Sequence, residues 1–265
     1  MTAQGRLRAA LSGGDVLAFA PLTWARLPEF LHLARTSAFW LDVGTTQRLL
    51  GDAAVVCTAD ACLVPLLPRL RSPEDAKVAS RGAASPAADA ASPAADAGSH
   101  VGADEIAALP EVTAAVSLLG RLASVGRTGL IAELPPLAEL GSLLPDAAPE
   151  DLEDALADLV RAGVEAGAEA VIIRGADGQY ADRQDVGRTV DAIAPLADFY
   201  GAKVLGVDAE RGWAADNCCP VGLLGPDGRW PDLARGVVLT AGDVTDWWTP
   251  HDMRAVLRER QGSRQ

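Results

Sequence analysis

Short apolar runs alternate with longer segments of helical period along most of this chain. The run "DVLAFAPL" (15–22) predicts a strand. An amphipathic "LPEFLHLARTSAFW" (27–40) and a helix-like "TTQRLLG" (45–51) follow, then "DAAVVCTA" (52–59), whose β-branched residues predict a second strand. Further on, "ALPEVTAAVSLLGRLASVG" (108–126) reads as a helix and "TGLIAEL" (128–134) as a strand closed by Pro-Pro. "APEDLEDALADLVRAGVEAG" (148–167) is a strong helix, with acids in its first turn and Leu152, Leu156, Leu159 and Val160 on one face. The strand "AEAVIIRGADG" (168–178), the helix "DVGRTVDAIAPLADFYG" (185–201) and the strand "AKVLGVD" (202–208) continue the rhythm. "CPVGLLG" (219–225) and "GVVLTAG" (236–242) are the last two strand candidates. The final helix, "TPHDMRAVLRER" (249–260), opens with Thr249 as N-cap and Pro250 at its first position.

Apolar strands alternating with amphipathic helices call for an α/β fold with a parallel sheet under helices. The seven strand candidates come near the eight of a closed ring, so the expectation is a (β/α)8 TIM-type barrel, complete or distorted at its last strands. An open doubly wound sheet is the second choice. Residues 74–104 carry a near-repeat of ASPAADA and little but Ala, Ser, Pro, Asp and Gly. Such a segment cannot bury enough apolar surface to offset its ordering entropy and is expected as a flexible insertion in a single domain spanning 1–265. No G-x-G-x-x-G follows the first strand and no G-x-x-x-x-G-K-[ST] occurs, which leaves dinucleotide and P-loop chemistry without support.

In a barrel, chemistry gathers at the C-terminal ends of the strands. Those ends carry Trp24 and Arg26, then Asp60, Glu133, and Arg174 with Asp177, Gln179 and Tyr180. Asp208, Glu210 and Arg211 come next, and the last connection holds Asp243, Asp246, Trp247, Trp248 and His251. Each has a bland alternative, because loops are wet and Asp246 or Thr249 can serve as helix caps. His251 beside Asp252 reads as a solvated histidine. The paired indoles either cover a flat ligand or close the barrel mouth. Asp60 stands out because it interrupts the apolar run "AAVVCTADACLVPLL", and a carboxylate there must find donors or a cation.

The charge of -13, with no basic run, argues against a nucleic-acid partner. No apolar stretch is long enough to cross a bilayer and the N-terminus lacks a signal-peptide core, so a cytoplasmic protein with no membrane partner is expected. Cys57, Cys62, Cys218 and Cys219 form neither a disulfide framework nor a zinc knuckle and read as reduced structural thiols.

Three stretches resemble the uroporphyrinogen decarboxylase family. Its members begin with an LRAA helix, continue through a strand to a loop ending R-Y-L-P-E-F, and later carry F-S-D-I-L followed by V-P. Here the chain reads "LRAALSGGDVLAFAPLTWARLPEF" and then "GDAAVVCTADACLVPLL", while "GVVLTAGDVTDWWTPHDMRAVL" is similar to the family's last strand, loop and helix. The resemblance covers about the first 70 and last 30 residues. It implies a (β/α)8 barrel, a homodimer, and decarboxylation of a carboxylate-bearing tetrapyrrole or smaller substrate with no cofactor and no metal. Asp60 would hold or protonate the ligand, with Arg26 the other catalytic residue and Arg174 a carboxylate anchor. Trp24, Tyr180, Asp208, Arg211 and Asp243 would line the substrate, under a lid made by Trp247 and Trp248. Thr23 and Trp24 stand where the family has an arginine, Asp243 replaces a histidine, and the family's tyrosine is missing from "PPLAELGSLL". Those gaps favour, as an alternative, an inactive barrel that binds or assembles with a partner. A corrinoid-dependent methyltransferase relative is the third reading, but Asp208-Ala209-Glu210 supplies oxygen ligands where that group has H-x-C for zinc.

Overall fold

The computed structural model describes residues 1–24, 26–33, 39–68, 103–174, 183–208 and 210–262. Eight strands run through it: β1 Leu17–Leu22, β2 Ala61–Pro65, β3 Gly129–Leu134, β4 Ala170–Arg174, β5 Lys203–Val207, β6 Gly212–Ala214, β7 Val221–Leu224 and β8 Gly236–Asp243. The helices are α1 Ala3–Leu11, α2 Leu27–Phe30, α3 Val43–Val56, α4 Pro110–Val125, α5 Leu137–Leu143, α6 Pro149–Glu165, α7 Arg183–Phe199, α8 Val244–Trp247 and α9 Pro250–Gly262. Every residue of β1, β2, β3 and β4 is buried, as expected of strands covered on both faces. Nearly all the buried apolar residues form one cluster that includes members of both sheets.

The strands form a three-stranded sheet, β1-β8-β7, and a five-stranded sheet, β2-β3-β4-β5-β6. All pairings are parallel except β5 with β6, an antiparallel hairpin that departs from the regular (β/α)8 pattern. Asp60 ties the sheets at one seam. Its backbone N–H donates to the Phe19 carbonyl at 2.7 Å, and its carboxylate accepts from the Phe19 N–H at 3.0 Å. At the other seam, Gly212 of β6 lies so close to β7 that a Cβ there would fall 2.4 Å from Val221 Cγ1.

Two expectations are corrected. "DAAVVCTA" is not a strand: its first five residues complete α3, because Thr46, Leu49, Leu50 and Ala53 are buried at helical spacing and the apolar face carries on to Cys57. Val55, one of the β-branched residues that suggested a strand, is 77% exposed. The chain then turns through Thr58 at φ 46° and begins β2 only at Ala61. The amphipathic 27–40 segment is not one long helix. α2 stops at Phe30, His32 takes φ 60°, and the Leu33 N–H folds back to the Pro28 carbonyl at 2.8 Å. The three-residue β6 is an added strand. Of the expected insertion, residues 74–102 lie outside the described residues, and 103–104 open the 3-10 segment Ala103–Ala108.

Candidate functional site at the strand C-terminal ends

Glu133 of β3 and Arg174 of β4 are placed by parallel ladders that run without a shift, Leu134 opposite Ile173 and Arg174 opposite Val207. Both side chains are almost fully buried, and Arg174 Nε lies 3.9 Å from Glu133 Oε1, an ion pair rather than a hydrogen bond. Arg174 Nη1 donates to the Thr240 carbonyl of β8, so this guanidinium spans from the five-stranded sheet to the three-stranded one. Burial pulls its pKa down to about 10, opposed by the negative charge of Asp243. It remains a cation at neutral pH.

Asp243 works as a fastener. Its Oδ2 accepts from the Trp24 N–H at 2.7 Å, and its Oδ1 accepts from the Thr245 N–H and hydroxyl at 2.9 and 2.6 Å, capping α8. Thr240 is likewise structural, its hydroxyl oxygen accepting from the Leu22 N–H at 3.1 Å. Glu139 in the first turn of α5 joins Glu133, Arg174, Pro65 and Leu67 around a cavity of only about 10 Å³. Sequence reasoning passed over Glu139 and Thr240. Glu139 belongs to a seven-residue helix too short for a periodic signal, and Thr240 enters through its carbonyl, which no side-chain pattern reveals.

Around this buried group the other sequence-predicted residues are scattered. Trp24 is fully buried, its ring 5.5 Å from Phe39. Arg26 is exposed and caps α2, its N–H donating to Thr245 Oγ1 at 2.9 Å. Trp247 and Trp248 are half-buried and meet edge to face, with centroids 5.6 Å apart. With Arg26 and His32 they line a rim cavity of about 220 Å³. Asp208 turns onto its own hairpin, accepting from the Glu210 and Arg211 N–H groups at 2.8 Å each, and the Arg211 side chain is exposed. His251 is exposed in the first turn of α9. Tyr180, with Asp177 and Gln179, lies outside the described residues.

Asp60 is the largest correction. It does not end a strand at the mouth; it immediately precedes β2, at the N-terminal end, because the run before it is helical. There its carboxylate accepts from Arg6 Nε at 2.8 Å as well as from the Phe19 N–H. It and Arg26 therefore sit near opposite ends of the strands.

No family model matches the chain. No curated protein matches it either. Among solved structures it is similar to a phosphonopyruvate hydrolase complexed with oxalate and Mg²⁺, at 14% identity and a TM-score of 0.30, over 99% of this chain and 85% of that one. Among the described residues no helix is long and apolar enough to cross a membrane, and no three His, Cys, Asp or Glu side chains converge as metal ligands.

Proposed function

We propose that the two sheets make up one distorted (β/α)8 ring and that this barrel, a divergent relative of the uroporphyrinogen decarboxylases, acts on a small carboxylate-bearing molecule at its strand C-terminal ends. One observation carries the reading: Glu133, Arg174 and Asp243, from three different strands, bring opposite charges into a buried space at the end where barrels do chemistry. In this reading Arg174 trades its bond to the Thr240 carbonyl for a carboxylate that the substrate keeps. A second carboxylate leaves as carbon dioxide and its C–C bonding electrons pass into an acceptor group within the substrate; Glu133, parted from Arg174 by the substrate's anion, takes up a proton from water before the site closes and gives it to that carbon as the electrons return. Trp247 and Trp248 cover the entrance and exclude water. The cavity beside Arg174, about 10 Å³, has to open to admit even a compact acid, and a tetrapyrrole would need a far larger rearrangement.

The same smallness favours a second reading, in which the charged group is a structural plug and the barrel only binds a partner. Thermal unfolding with malonate, succinate and phthalate, together with carbon dioxide release from the same acids and from uroporphyrinogen, separates the two. The lyase reading predicts a ligand-dependent rise in Tm for at least one acid, absent in Arg174→Met, and carbon dioxide release that Glu133→Gln abolishes. No shift with any acid, combined with an Arg174→Met protein that loses about 3–5 kcal/mol because the buried Glu133 carboxylate is deprived of the Arg174 cation, would establish the plug.

A further inference from the structure

A cavity of about 700 Å³ lies at the opposite end of the strands. It opens between α1, α3 and the C-terminal end of α4, and its volume falls within the range of about 300–1,000 Å³ usual for small-molecule sites. Three guanidinium groups line it, Arg6, Arg48 and Arg127, against the carboxylates of Asp52 and Asp60. Arg6 is engaged with Asp60. Arg48 and Arg127 are exposed and hydrogen-bond no carboxylate among the described residues, in a chain whose net charge is -13. Leu122, Val125 and Ala54 supply an apolar wall.

A second observation points the same way. Gly51 stands in the interior of α3, where glycine is less favourable than alanine, yet a Cβ built there meets nothing within 4 Å. Neither a tight turn nor close packing requires it. Gly51 and Gly44, seven residues apart, line the same cavity as Arg48, which lies between them. Missing side chains on that face leave the helix backbone open to whatever fills the space.

We infer that this cavity is a binding site for an organic anion with an apolar body, its charged head held by Arg48 and Arg127 and its body laid along Gly51 against Leu122 and Val125. The probe is 8-anilinonaphthalene-1-sulfonate, titrated against the whole chain by fluorescence at low salt. Saturable binding of one probe per chain is expected, at least tenfold weaker in the double variant Arg48→Ala/Arg127→Ala and in Gly51→Phe. Gly51→Ala, which leaves the space nearly unchanged, should bind within twofold of the parent and confirm that position 51 tolerates a side chain. Trp248→Ala, at the far rim, should bind like the parent. Affinity unchanged within twofold in both the double arginine variant and Gly51→Phe would overturn the assignment, as would a loss in Trp248→Ala equal to theirs.

Discussion

Replacing Asp60 by alanine tests whether this carboxylate is a fastener between β1 and β2. The buried Phe19 N–H would lose its acceptor, and an unsatisfied buried donor costs about 1–3 kcal/mol. The Arg6 partner is 46% exposed, so solvent screening limits the ion pair to about 0–1 kcal/mol. The two backbone bonds made by residue 60, to the Phe19 carbonyl and from the Gly129 N–H, survive the change. The expected loss is therefore about 1–4 kcal/mol, or about 2–16 °C in Tm for a chain of this size. Asp60→Asn keeps an oxygen for the Phe19 N–H and should lose only about 1 kcal/mol. Urea unfolding at pH 7 measures both through the midpoint at constant slope. A loss below about 0.5 kcal/mol for Asp60→Ala would refute the fastening role, since it would mean that the Phe19 donor finds another partner.

Two further outcomes follow from packing and ionisation. Burial, helped by the charges of Asp243 and Cys62, raises the Cys57 thiol from 9.0 to about 12. Below pH 9 the thiol is protonated in both states; above it the unfolded chain ionises first, so stability should fall between about pH 9 and 12, by up to about 1.4 kcal/mol per pH unit. Cys57→Ser should flatten that slope in urea midpoints taken at pH 9, 10 and 11, and equal slopes would contradict the assignment. Gly212→Ala drives a methyl into Val221 across the β6/β7 seam and should lower the urea midpoint by the equivalent of about 1–3 kcal/mol; a neutral effect would mean that the seam is loose.

The strands that position Glu133, Arg174 and Asp243 were legible because buried parallel strands are continuous short apolar runs, and β3, β4 and β8 stand between clear helix or turn signals. The segment before Asp60 was misread for a physical reason. Val55 and Val56 carry high strand propensity, but tertiary burial of Leu49, Leu50 and Ala53 sets a helical period that overrides it. Asp60 therefore lies just before β2 at the N-terminal end of the strands instead of ending a strand at the C-terminal end, which removes it from the proposed site. The bridge from Arg174 to the Thr240 carbonyl joins residues 66 positions apart through a backbone atom, so nothing local announces it. The 700 Å³ cavity was hidden for the same reason: Arg6, Arg48 and Arg127 converge only once three helices are packed.

Anomalous diffraction from crystals grown with 3-bromopropionate most directly tests whether the strand C-terminal ends receive a carboxylate. The expected map places bromine at that end, with the carboxylate against Arg174 or in the rim cavity between Arg26 and Trp247. Bromine absent from that end, with Arg174 still bonded to the Thr240 carbonyl, would contradict it.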